Sequence, residues 1–141
     1  MTDKYDTILE ILHDYICNRF GYRRPDIDFG LNRNIIWMDR KKVDFYLRFF
    51  EGLPHRKIPT IVIARLFFHD TRAGHGSDFL MLITRIAVQF GYEFIELECC
   101  NENAKAFGEK LGFDFDSTGQ NCCISVSALA QNFKEKGIVA S

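Results

Sequence analysis

The run TIVIARLFFH, Thr60 to His69, is the segment that most narrows the fold. Ten residues of β-branched, aliphatic and aromatic side chains, with one arginine, read as a strand buried deep in a sheet. The next segment is equally restrictive. DTRAGHGSD is a short polar loop, and a long apolar helix begins near Ser77, with Leu80, Ile83, Ala87 and Phe90 on its core face and Gly91 closing it. A second strand is expected over Phe94–Cys100. A short amphipathic helix is expected over Asn101–Leu111, closed by Gly112, with Ala104, Phe107 and Leu111 on one face. Strands over Phe113–Asp116 and Cys122–Val126, joined by the turn Thr118–Asn121, and a terminal helix over Ala128–Lys136 complete this half. The order strand–helix–strand–helix–strand–strand is an α/β or α+β pattern.

The first half is read with less regularity. Tyr5, Ile8, Leu9, Leu12, Tyr15 and Ile16 recur at helical spacing, with Thr2 or Asp3 as N-cap and an end near Gly21. Arg24-Pro25 is a break. Ile35–Met38 is a short buried strand, and Lys41–Glu51 is expected as a second helix with Val43, Tyr46, Leu47 and Phe50 on its apolar face and Gly52 at its end. The loop Leu53–Pro59 carries two prolines. With 141 residues, no repeat and no linker, one domain over 1–141 is expected.

Composition excludes several classes. No apolar run nears the ~20 residues of a membrane span, and the charged, amphipathic N-terminus is unlike a secretory signal, so a cytoplasmic protein is expected. Five cysteines include the neighbours Cys99–Cys100 and Cys122–Cys123; adjacent strand residues face opposite ways, so reduced, packing cysteines are expected. Zinc-ligand spacing is missing, and no metal is expected. The net charge of −1 is unevenly distributed: twelve basic against six acidic residues lie between Arg19 and Arg72, and two against seven between Ile86 and Asp116. Such asymmetry either meets an anion or is plain solvated surface. No nucleic-acid motif accompanies it, so a nucleic-acid partner is not expected.

Gly74 and Gly76 alternate directly before a helix. Such glycines either supply positive φ alone or turn successive N–H groups toward one anion at a helix N-terminus, where Arg72 adds charge. A Walker loop would need G-K-S/T, and the dinucleotide fingerprint would need glycine where Phe79 stands.

Taken together, Thr71-Arg72-Ala73-Gly74-His75-Gly76 and the stretch Asn101, Ala104, Phe107, Leu111, Gly112 and Phe113 resemble the GNAT superfamily of acetyl-CoA-dependent N-acyltransferases. The resemblance covers about Thr60 to Val126. It implies a single α/β (α+β) GNAT-like domain, a mixed central sheet flanked by helices, here with an atypical helical N-terminal half. It implies a splay between the strands ending at His69 and Cys100 that takes the pantetheine arm of acetyl-CoA against the backbone of Leu66, Phe67 and Phe68. The pyrophosphate is expected on the amides of Arg72, Ala73, Gly74, His75, Gly76 and Ser77, with Asn101 bonding the pantetheine and Phe107 packing near it. Acyl transfer to an amine also needs a base. Glu98 is chosen and Glu96 is second, with His69 and His75 as alternatives. Gly108 stands where many members carry a tyrosine that protonates the departing thiolate; Cys100 is a conceivable substitute donor. The expected activity is acetyl transfer to an amine by direct attack; the alternative is a non-catalytic binding module that senses CoA or holds a protein partner. The acceptor is open, small molecule or protein, and so is a homodimer.

Overall fold

A computed structural model describes residues 3–52, 58–71, 73–98 and 102–135. Helix α1 spans Lys4–Phe20. The Asp3 carboxylate accepts from the Tyr5 and Asp6 amides, and Gly21, at φ 75°, ends the helix by donating its N–H to Cys17 O at 3.0 Å. Both are the local chemistry of a cap: a short acidic side chain for orphan donors, a glycine for the left-handed turn. Ile8, Leu12, Ile16 and Phe20 form its buried stripe.

Strands β1 (Asp28–Phe29), β2 (Ile35–Asp39), β3 (Val43–Phe50) and β4 (Thr60–Phe68) come next as an antiparallel series. Helix α2 (His75–Phe90) then crosses to β5 (Phe94–Leu97), which lies parallel to β4. Helix α3 (Glu102–Leu111), β6 (Asp114–Phe115), β7 (Cys122–Ser125) and α4 (Val126–Glu135) complete the chain. The seven strands form one mixed sheet in the order β1-β2-β3-β4-β5-β7-β6.

The expected helix over Lys41–Glu51 is strand β3, and the N-terminal half is therefore not mainly helical. Val43, Phe45, Leu47 and Phe49 are fully buried while Asp44, Tyr46, Arg48 and Phe50 are half-buried, a period of two along the whole element. The same eight residues also fit a helical stripe, because six of them are apolar. Pairing decided the matter: β3 bonds β2 on one side and β4 on the other.

Helices α1 and α2 cover one face of the sheet. Phe79 of α2 packs on Phe45 of β3 (ring centroids 5.3 Å) and on Tyr15 of α1 (6.1 Å), and Phe20 of α1 stacks on Phe68 of β4 (6.0 Å). Opposed rings of this size account for much of the burial on that face. Cys122 is buried and Cys123 half-buried, as neighbours facing opposite ways should be; both are free thiols. No helix among the described residues is long and apolar enough to cross a membrane.

Candidate functional site

Among the described residues, β4 and β5 share four residue pairs, Thr60–Ile63 against Phe94–Leu97. The last bond between them there is from the Glu98 N–H to Ile63 O, 3.0 Å. β4 continues five residues further, to Phe68, still paired with β3 on its other side. In that ladder Tyr46 opposes Arg65 while Leu47 opposes Ile63, so Ala64 is an extra residue, a bulge at the point where β4 leaves β5. The His69 N–H donates to Lys42 O at 3.0 Å. By antiparallel alternation, Leu66 and Phe68 then turn their N–H and C=O away from β3, toward the open side. No strand among the described residues pairs with them there.

The gap opens into a cleft of about 870 Å³. Of the residues expected there, Leu66, Phe67, Phe68, Gly74, His75, Gly76, Ser77, Glu98 and Phe107 line it. Ala73 is in the loop but off the cleft wall. Glu96 is on β5 opposite Val62 and Cys123 and does not line the cleft, nor does His69. Arg72, Asn101 and Cys100 lie outside the described residues.

At one end lies the glycine loop. Gly74 precedes α2 at φ 72°, a conformation open to glycine at little cost, and its C=O accepts from the Asp78 N–H at 3.1 Å. The amides at the start of α2 are left without intrahelical partners by helix geometry. Phe107 of α3 lies against Gly76, where an added Cβ would stand 3.5 Å from the ring, so the two sequence motifs meet in space.

Beneath the loop, Arg19 of α1 donates to Ala73 O at 3.3 Å and to His75 Nδ1 at 2.9 Å, and pairs with Asp78 at 3.1 Å. Tyr15 also donates to Asp78, at 2.6 Å. Burial, and then the Arg19 charge, lower the His75 pKa, which suits a neutral ring whose Nδ1 accepts. Sequence reading missed Arg19, Tyr15 and Asp78. Nothing local links α1 to a loop more than fifty residues away.

The other end lies over the bulge. Arg48 of β3 reaches across β4 to Glu98, 3.2 Å from Oε1, and Arg65 of β4 pairs with Asp44 of β3. Both guanidiniums lie over the Tyr46 ring, 5.4 and 5.6 Å from its centroid. Tyr46, Arg48 and Arg65 line the cleft with Glu98. The period-two alternation of Val43–Phe50 was the signal that would have put Tyr46 and Arg48 on one face.

This cleft has a polar backbone edge for an extended chain, a helix N-terminus for an anion, and a carboxylate beside the bulge. Its volume lies within the ~300–1,000 Å³ typical of ligand sites.

No protein-family model matches the sequence, and no curated protein matches it. Solved structures do. The AtaT–AtaR complex bound to DNA is 16% identical, with 72% of this chain and 74% of that chain covered and a TM-score of 0.54. The KacTA–DNA complex is 18% identical, covering 89% and 86%, at 0.53. AtaTR bound with AcCoA is 17% identical, covering 70% and 69%, at 0.51. The mixed sheet, the splay of β4 from β5 and the glycine loop before α2 thus accompany a likeness in fold to these solved structures, and the chain has the fold of the GNAT superfamily.

Proposed function

We propose that the protein transfers an acetyl group from acetyl-CoA to an amine. The observation that carries this reading is the edge of β4 at the splay, which no strand among the described residues pairs and which ends at the glycine loop of α2. Leu66 and Phe68 offer backbone donors and acceptors to the amide-bearing pantetheine arm, as a sheet edge does to an added strand. The amides of Gly74 to Ser77 and the positive end of α2 suit the pyrophosphate, and Phe107 flanks the arm. Arg72 and Asn101 keep the binding roles that the motif resemblance assigns them. Acetyl-CoA supplies an activated thioester. A solved relative by fold, AtaTR, is bound with AcCoA, which supports the choice of cosubstrate.

Glu98 is the proposed base: it takes a proton from the acceptor ammonium so that a neutral amine attacks. Arg48 holds its side chain from β3, across β4. Glu96, off the cleft, is the weaker candidate. A second reading, a binding module without catalysis, is favoured by Gly108, which leaves α3 without the expected phenol.

Calorimetric titration with acetyl-CoA, followed by incubation with a panel of small amines, aminoacylated molecules and peptides, tests both. Binding with release of free thiol is expected. Binding without thiol release across the panel leaves the binding-module reading, and no binding at millimolar acetyl-CoA overturns both.

A further inference from the structure

If acyl transfer occurs in this cleft, α3 does not supply the proton for the departing thiolate. At Gly108 a Cβ would stand 3.1 Å from the Phe115 ring and 3.4 Å from Cys122 Sγ. The Cβ direction at position 108 therefore faces the packing against β6 and β7, and the cleft residues of α3 among the described side chains are Ala104 and Phe107. A side chain at 108 would crowd Phe115 and Cys122. The donor has to come from a different element.

Among the described residues the cleft offers few. Asp70, Thr71, His75 and Ser77 belong to the glycine-loop end. That end suits the pyrophosphate and is separated from the thioester by the pantetheine arm. At the bulge end, guanidiniums do not release protons in the working pH range. Glu98 is assigned to the amine. Tyr46 remains, the one phenol on the cleft wall among the described residues. It pairs with Arg65 immediately beside the Ala64 bulge, and the guanidiniums of Arg48 and Arg65 lie 5.4 and 5.6 Å from its ring centroid. Arg48 in turn holds Glu98 at 3.2 Å. Phenol, guanidiniums and carboxylate thus form one contiguous group, drawn from three adjacent strands, over the point where β4 parts from β5.

Resting on the acetyl-transfer reading above, we infer that Tyr46 is the general acid, protonating the sulfur of CoA as the carbon–sulfur bond breaks. The acceptor ammonium gives one proton to Glu98. Its nitrogen forms a bond to the carbonyl carbon, the carbon–sulfur bond breaks, and the bonding pair leaves on sulfur. The phenol proton passes to sulfur, giving the free thiol. The nitrogen's surplus proton returns through solvent to the phenolate, and Glu98 releases its proton to bulk water. The two guanidiniums stabilise the negative charge that develops on the phenol oxygen during this step. A thiolate is a good leaving group, so the contribution belongs near the lower end of the range for general acids.

The test uses the full chain, acetyl-CoA and an amine that supports thiol release by the wild type. Tyr46→Phe should lower kcat about 10- to 100-fold. The KM and calorimetric affinity for acetyl-CoA and the melting temperature should stay at wild-type values. The wild type should show a solvent deuterium isotope effect on kcat that shrinks in the variant. Wild-type kcat and isotope effect in Tyr46→Phe would overturn the assignment. So would a loss confined to acetyl-CoA affinity, which would make Tyr46 a binding residue. Failure of the underlying reading is distinguishable, because it appears in the wild type as acetyl-CoA binding with no thiol release.

Discussion

The two ends of the cleft are built in opposite ways. The glycine-loop end is made of backbone: amides of Gly74 to Ser77, set by one left-handed glycine and fastened underneath by Arg19. The bulge end is made of side chains from three strands, Tyr46 and Arg48 on β3, Arg65 on β4, and Glu98 just after β5. Backbone sites are tied to contiguous motifs, since consecutive amides must converge on one ligand. Side-chain sites on a sheet are tied to register, since neighbours across strands are distant in sequence. The first can bind one kind of phosphate in many proteins, whereas the second is free to differ with the acceptor.

The comparison makes separable predictions. The largest effect is expected at the bulge end. Glu98→Gln keeps an acceptor for Arg48 but removes the proposed base, and should lower kcat by about 100-fold or more, equivalent to about 2.7 kcal/mol in the barrier. Acetyl-CoA affinity, measured calorimetrically, should be unchanged. A parallel loss of affinity would show that the ends are not independent.

At the glycine-loop end, Arg19→Ala should do the reverse. It removes one ion pair and the bonds to Ala73 O and His75 Nδ1, all partly solvated, and should cost about 1 kcal/mol of stability. Weakened acetyl-CoA binding should accompany a lowered melting temperature, with kcat at saturation little altered. pH sharpens the point. The His75 pKa lies below the ordinary value of 6.5 in the folded chain, so the unfolded chain binds more protons as pH falls. This contribution to stability is complete above that value and is lost as pH falls from it toward the lower folded value. Thermal melts from neutrality to about pH 5 should show the decline, and Arg19→Ala, by removing the second cause of the shift, should reduce it.

The smallest effect concerns Gly108, away from both ends. Alanine in mid-helix should gain about 1 kcal/mol by propensity, but its Cβ would crowd Phe115 at 3.1 Å. Near-cancellation is expected in denaturant melts of Gly108→Ala. A double-mutant cycle with Phe115→Leu should show coupling of about 0.5 kcal/mol or more. A full gain in the single variant would mean that the glycine is merely a helix defect.

Much of this molecule was legible from its residues. Asp3 and Gly21 bound α1, Gly91 ends α2, and Gly112 at φ 86° comes after α3, because caps are local chemistry. The strand-to-helix turn at R-A-G-H-G-S was legible, although α2 begins at His75 and not near Ser77, and the helix expected over Asn101–Leu111 is α3 where the structure describes it. Lys41–Glu51 was not. Apolar residues at Val43, Phe45, Tyr46, Leu47, Phe49 and Phe50 satisfy both periods, and only bonding to β2 and β4 selects the strand. Losing that strand hid Tyr46 and Arg48, and so hid the bulge end of the cleft.

By itself the sequence determined α1 with both its caps, the glycine ends of α2 and α3, the deep strand at Thr60–Phe68 and the anion-suited turn after it, since each depends on contacts within a few residues. Only the tertiary structure decided three matters: that β3 is a strand, that β4 outruns β5 at Ala64, and that Arg48 meets Glu98 across fifty residues of chain. Strand register and cross-strand pairing are set by long-range packing against a shared core, and no local pattern encodes which partner will arrive.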